Sequence, residues 1–276
     1  MKRTRLCQAA ALAATGLLAG SLGVTSGAAQ SAESDVPSFQ EYAATAYRDA
    51  DQQYIVNGDE AIANTGLLKD YYDRMTGVTS KQKTAEEGLI VNTVGGRDDK
   101  WSASQALNLT YCVSTKFGTQ QTAVINAMNQ GAGLWENASS KINFVYVPAQ
   151  DASCNVRNTS VLFSVEPTNT NQYIARAFFP SSSKSSRNIL VNATSLQNSG
   201  SWTPGNILGH ELGHTIGFRH EHTRPEAGTC FEDNNWRPLT PYDSVSIMHY
   251  PQCNGGSSNL SFSSYDGQGV RALYGS

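Results

Sequence analysis

The sequence is poor in charge. Of its 276 residues, 16% are Asp, Glu, Lys or Arg, and the net charge is −3. Without a basic surplus it lacks the electrostatic footprint of a nucleic-acid or anionic-membrane binder, so no nucleic-acid partner is expected. Beyond its first two dozen residues it has no apolar run long enough to span a bilayer, so the mature protein is expected to be soluble. No cysteine pair has the C-x-x-C spacing of a zinc ribbon or thiol redox site. There is no internal repeat. No histidine precedes His210, and all five histidines fall between His210 and His249, a clustering that composition alone does not explain.

What is present begins with an export pattern. Lys2, Arg3 and Arg5 precede an apolar stretch, 6–24, and small residues follow over 26–32. This order predicts a signal peptide over 1–32 and a mature protein that is secreted and extracellular, with no membrane partner once the signal is removed. Thr15, Gly16, Gly20, Ser21 and Gly23 interrupt the apolar stretch and argue against a permanent anchor. Cys7 would leave with the signal. Cys112, Cys154, Cys230 and Cys253 remain, an even number that predicts two disulfides in an oxidising compartment. Three connectivities are open; the expected pairs are the nearer ones, Cys112 with Cys154 and Cys230 with Cys253.

Residues 33–100 contain neither cysteine nor histidine and are expected to form a pro-segment and linker. Helices are predicted over 39–50 and 60–74, and a polar linker over 77–96. Residues 101–276 alternate strand-like and helix-like patterns, which predicts an α+β domain with one mixed sheet. Strands are expected at 106–113, 142–147, 160–165, 174–179 and 188–191. Helices are expected at 121–138, 202–217 and 265–274. Thr203 and Pro204 suit the N-cap and first position of the second of these.

That helix carries His210-Glu211-Leu212-Gly213-His214. Four helical residues turn through about 400°, so both imidazoles face one side, one turn apart, and reach one zinc ion at about 2.0–2.1 Å each. Glu211 emerges beside the metal rather than on it, where it can deprotonate a metal-bound water. Gly217 permits the turn that brings His220 back as a third ligand, completing His-Glu-x-x-His-x-x-Gly-x-x-His. His222 and His249 are not needed as ligands, because three protein ligands plus water complete a catalytic zinc site.

The run HELGHTIGFRHEHTRP, from His210 to Pro225, resembles the long zinc signature of the metzincin metalloproteases, most closely that of the astacin family. Glu221, Arg224 and Pro225 match residues that follow the third histidine in astacins. Ser246-Ile247-Met248-His249-Tyr250 is similar to the astacin Met-turn. The resemblance implies a catalytic domain over 101–276 with a mixed twisted sheet, two main helices and a C-terminal subdomain containing the Met-turn. It implies Met248 as an apolar floor beneath the zinc. Tyr250 matches a tyrosine that in astacins ligates the resting metal and then swings away to stabilise the oxyanion. Glu221 matches a glutamate that contacts the mature N-terminus there. Ala175 to Pro180 and Ser264 to Gly275 are similar to the edge strand and terminal helix of the matrixins. Glu226-Ala227-Gly228 and the insertion carrying Cys230 and Trp236 depart from the astacin pattern.

Together these readings predict a monomeric, secreted, zinc-dependent endopeptidase. It would take a polypeptide in extended conformation along the strand at 174–179, with Pro251 and Gln252 walling the pocket beyond the scissile bond. The alternatives are a zinc hydrolase of a non-protein amide such as a cell-wall crosslink, and a non-catalytic metzincin-like binding module. A purely structural zinc has no use for Glu211, which weighs against the latter. No pro-segment cysteine is available to block the metal. Val56-Asn57-Gly58-Asp59 loosely resembles the Gly-Asp motif of astacin pro-segments, so Asp59 is the candidate for latency; an ordinary turn is the competing reading.

Overall fold

The computed structural model describes residues 36–77 and 89–276. The expected signal peptide and part of the expected linker lie outside them. Among the described residues no helix is long and apolar enough to cross a membrane.

The N-terminal segment runs α1 (Phe39–Thr45), β1 (Tyr47–Arg48), β2 (Tyr54–Val56), β3 (Glu60–Ile62) and α2 (Thr65–Thr76). The three strands form an antiparallel sheet in that order. Tyr54, Val56, Leu68 and Tyr71 are buried together as a small core between sheet and helix. The helix predicted over 60–74 starts later than its apolar spacing suggested. Asn64 caps α2, its side-chain oxygen accepting from the Leu67 amide at 3.0 Å, and Glu60–Ile62 is left to pair with β2. The helix predicted over 39–50 ends at Thr45, after which the chain turns into β1.

The stretch read as linker is partly structural. Leu89, Ile90 and Val91 are fully buried. They enter β4 (Ile90–Val94), which pairs with β5 (Arg97–Asp98) and with β11 (Trp236–Pro238). Apolar burial, not polarity, decides the conformation of these residues.

The main sheet contains β6 (Leu109–Val113), β7 (Phe144–Tyr146), β8 (Phe163–Pro167), β9 (Ala175–Arg176) and β10 (Asn188–Val191), in the order β7-β6-β8-β10-β9. All neighbours are parallel except β9, which runs antiparallel to β10 at the edge. The short helix α3 (Ala103–Ala106) precedes β6. The principal helices are α4 (Gln121–Ala138) and α6 (Pro204–Thr215), with α5 (Ala193–Gln197) before α6 and α7 (Ser264–Tyr274) closing the chain. The mixed sheet and the order of strands and helices make the fold α+β, as the alternation predicted. The disulfides are Cys112–Cys154 and Cys230–Cys253, the nearer pairs.

Packing between helices fixes the site. The Trp135 indole on α4 donates to the Gly209 carbonyl at 2.8 Å, locking α4 across α6. Beneath α6, a Cβ at Gly213 would lie 2.4 Å from the Met248 sulfur, so the methionine seats directly against the helix only because residue 213 has no side chain. Asp266 of α7 accepts from the Ser246 hydroxyl at 2.5 Å and the Ile247 amide at 2.9 Å, which holds the turn carrying Met248.

Candidate metal centre and active-site cleft

Helix α6 starts as its sequence requires. Thr203 accepts from the Asn206 amide at 3.1 Å and Pro204 takes the first helical position. One turn separates His210 from His214 on its buried face. The helix ends at Thr215, and the chain turns at Gly217, whose φ is +100°. A Cβ there would sit 2.2 Å from the Asp99 carbonyl oxygen, so both the left-handed backbone and the close approach demand glycine. The turned chain then places His220 opposite His210.

The three imidazoles are held by their Nδ1 atoms. His210 Nδ1 lies 2.7 Å from the Ile247 carbonyl and His214 Nδ1 lies 2.8 Å from the Phe218 carbonyl. A carbonyl only accepts, so both Nδ1 atoms carry hydrogen and both Nε2 atoms present lone pairs. His220 Nδ1 donates to Glu232 Oε1 at 2.6 Å. The three Nε2 atoms converge; those of His210 and His220 are 3.2 Å apart. Asp59 joins them from the loop between β2 and β3. Its Oδ2 is 3.1 Å from His210 Nε2, and its Oδ1 is 3.1 Å from His220 Nε2 and 3.6 Å from His214 Nε2.

The donor set fits a zinc ion. Asp59, His210, His214 and His220 each offer one ligand atom, all within 4.8 Å of one another, and all four residues are buried. His214 Nε2 and Asp59 Oδ1 are buried without a hydrogen-bond partner. Such orphaned acceptors are costly unless a cation satisfies them. Three imidazoles and a carboxylate are ligands of a borderline-soft ion that prefers four-coordination. Burial pushes His214 down to about 4, which keeps it neutral and its lone pair available at neutral pH. Burial also opposes charge on His220, but the Asp59 and Glu232 carboxylates outweigh it and raise that imidazole well above its ordinary range. The proton they favour is one that metal binding displaces.

Glu211 is 3% exposed, and its Oε2 has no hydrogen-bond partner. Burial pushes its carboxyl well above the usual range and the Asp59 charge adds to this, while His220 and Arg176 oppose it. It lines a cavity of about 220 Å³ together with Asp59, Tyr173, His210, Tyr250 and Gln252. The Tyr250 hydroxyl donates to Asp59 Oδ2, and its ring stacks on His210 at 5.3 Å between centroids. Met248 is fully buried beneath α6. The structure therefore brings together His210, Glu211, His214, His220, Tyr250 and Asp59 around one point, with Gly217 and Met248 supporting them.

Of the remaining histidines, His222 stacks on His220 at 4.6 Å between centroids, with its Nε2 3.4 Å from Glu232 Oε1. His222 Nδ1 accepts from the Tyr250 amide at 3.2 Å, and His249 Nε2 lies 2.8 Å from the Tyr242 hydroxyl. Glu221 accepts from the Asp243 amide at 3.0 Å. Two groups escaped the sequence reading. Glu232 bridges His220 and Arg219, whose Nη2 donates to Glu232 Oε2 at 2.8 Å. Arg176 is paired with Asp49 and Asp51 of the N-terminal segment. Glu232 lies in no recognisable short motif, and Arg176, though within the run Ala175 to Pro180, meets carboxylates 127 and 125 residues away.

Residues 103–235 match the family model Peptidase_M57, described as "Dual-action HEIGH metallo-peptidase". No curated protein matches. Among solved structures, the chain is similar to High choriolytic enzyme 1 (HCE-1), a hatching enzyme zinc-protease from Oryzias latipes (Medaka fish). The identity is 18% and the TM-score 0.41, covering 64% of this chain and 94% of that one. The match covers just under half of the chain, and its description as a metallo-peptidase agrees with the zinc signature and the convergent histidines of the site.

Proposed function

We propose that the chain is made as a secreted, latent precursor whose zinc is held by the Nε2 atoms of His210, His214 and His220, and that it cleaves polypeptides with Glu211 as general base. The observation that carries this reading is the convergence of three Nδ1-anchored imidazoles on one point, beside a buried Glu211 carboxyl with one unpartnered oxygen. When bound, zinc polarises the scissile carbonyl and lowers the pKa of an adjacent water.

The chain's own groups do the rest. Glu211 takes a proton from the attacking water and returns it to the leaving amine. Tyr250, freed from Asp59, donates its hydroxyl to the developing oxyanion. The edge of β9 offers backbone hydrogen bonds to an extended peptide, as the Ala177 amide already does to the Asp59 carbonyl at 3.1 Å. Gln252 lines the cavity beside Glu211 and so faces a substrate side chain. Within the expected pro-segment and linker, 33–100, residues 36–77 act as the inhibitory part, and Asp59 fills the position that water and substrate need. The two disulfides agree with export to an oxidising compartment.

The test uses the processed protein recovered from culture medium. It should degrade casein, lose activity with a zinc chelator, and regain it when zinc is restored. Activity that persists through complete zinc removal, or that falls on cell-wall material and spares casein, would overturn the proposal.

Glu232 provides a second expected outcome. A carboxylate on the far nitrogen of a ligating histidine orients the ring and raises its basicity. Glu232→Gln keeps the shape but removes the charge, so zinc affinity should fall by about 10- to 100-fold. Competition against a calibrated chelator measures this without reference to activity. Unchanged affinity would remove Glu232 from the support of His220.

A further inference from the structure

Arg176 is 0% exposed and sits on the edge strand β9. Its neighbours Ala175 and Ala177 belong to the main core, so the alternation of a strand puts Arg176 on the opposite face of the sheet. The guanidinium there is fully engaged. Nη1 donates to the carbonyl and to the side-chain oxygen of Asn188, at 2.8 and 2.7 Å. Nε donates to Asp49 Oδ2 at 2.9 Å, and Nη2 reaches Asp49 Oδ2 at 2.8 Å and Asp51 Oδ2 at 3.0 Å.

The two sets of partners come from different parts of the chain. Asn188 lies on β10, beside β9, and is neutral. Both carboxylates come from the turn between β1 and β2, within the segment assigned above to the precursor. When that segment leaves, Nη1 keeps its acceptors and stays oriented, while Nε and Nη2 lose theirs. A guanidinium in this setting without a counter-ion is strongly unfavourable. What remains is a pre-oriented fork with two free donors, the geometry that takes a carboxylate.

The fork also stands beside the path of the substrate. The next residue along, Ala177, donates its amide to the Asp59 carbonyl, so chain passing through the cleft already pairs with this edge. In an extended peptide lying there, every second side chain falls on the face that carries Arg176.

We propose that Arg176 forms a receptor for the carboxylate of an Asp or Glu side chain of the substrate, which Asp49 and Asp51 occupy in the precursor. The inference rests on the release of residues 36–77 proposed above. It makes the pro-segment an acidic mimic of the preferred substrate at a site separate from the metal.

The experiment uses processed enzyme and a set of quenched fluorescent peptides of one parent sequence, with Gln replaced by Glu one position at a time. The quantity read is the ratio of kcat/KM for the Glu and Gln members of each pair. Wild-type enzyme should prefer Glu at one position by about 10-fold, the scale of one charge-assisted hydrogen bond, and the preference should shrink with added salt. Arg176→Gln should bring that ratio to about 1, and Arg176→Lys should retain part of it. A wild-type enzyme with no Glu preference at any position overturns the proposal even if the variants fail to fold. So does a preference that survives Arg176→Gln. Intact precursor that cleaves the Gln peptide at the processed enzyme's rate overturns the latency reading instead, which separates the two failures.

Discussion

Glu211→Ala should lower turnover by about 10²- to 10⁴-fold, the usual contribution of a positioned general base, while the protein keeps its zinc. The two halves of this outcome follow from different contacts. The imidazoles proposed to hold the metal are oriented by the Ile247 and Phe218 carbonyls and by Glu232, none of which involves residue 211. Removing Glu211 therefore leaves the donor set standing. The Glu211 carboxyl faces the cavity with one oxygen unpartnered, and burial raises its proton affinity, as suits a group that must take and return a proton. Glu211→Gln, which preserves shape, should fall nearly as far. Zinc content by elemental analysis and single-turnover hydrolysis of a peptide give the two readings. Full activity in Glu211→Ala would refute the base assignment, and loss of zinc together with activity would recast the side chain as part of the metal site.

The candidate metal site was legible in the sequence because the determinants that bring its histidines together are local. The spacing of His210 and His214 is fixed by the helical repeat, Thr203 and Pro204 mark the helix start, and Gly217 marks its end. Asn188–Val191 and Gln121–Ala138 were readable for the same reason: an apolar run and an amphipathic period that tertiary contacts reinforce. The strand at Glu60–Ile62 was misread as helix because Ile62, Leu67, Leu68 and Tyr71 share a helical spacing; the cap at Asn64 was the signal that separated them. Residues 89–94 fall in a stretch, 77–96, that reads as linker because it is polar and punctuated by glycine, yet pairing with Trp236–Pro238 accompanies burial of Leu89, Ile90 and Val91. The Arg176–Asp49 pair spans 127 residues and the Asp59–His210 contact spans 151. No local pattern encodes either pairing. A Gly-Asp dipeptide could only nominate Asp59, and the fold had to deliver it.

Asp59→Ala in the unprocessed chain should convert a silent precursor into an active one. The wild-type carboxylate lies 3.1 Å from two of the Nε2 atoms and accepts from Tyr250, so it occupies the coordination position and also holds the proposed oxyanion donor. Its backbone accepts from the Ala177 amide, filling the edge that an extended peptide requires. Removing the side chain reopens the position at the metal and frees Tyr250, but the segment keeps its other anchors. Arg176 still binds Asp49 and Asp51, and the apolar cluster around Tyr54, Val56, Leu68 and Tyr71 still supports its fold. The segment should therefore remain attached as a weaker, competitive obstacle. Losing one of two linked contacts reduces occupancy by roughly 10²- to 10⁴-fold, so the variant should gain about that much peptidase activity over wild-type precursor while showing a higher KM than processed enzyme. Mass spectrometry after the assay must show an intact chain, because prior cleavage would produce the same activity. Cobalt substituted for zinc supplies an independent reading: its visible spectrum should change between wild type and Asp59→Ala as a carboxylate ligand gives way to water. Two results would end the proposal. One is an intact wild-type chain as active as the processed enzyme. The other is an intact, metal-loaded Asp59→Ala chain that stays inactive with an unaltered spectrum, which would leave Asn57-Gly58-Asp59 as no more than a turn.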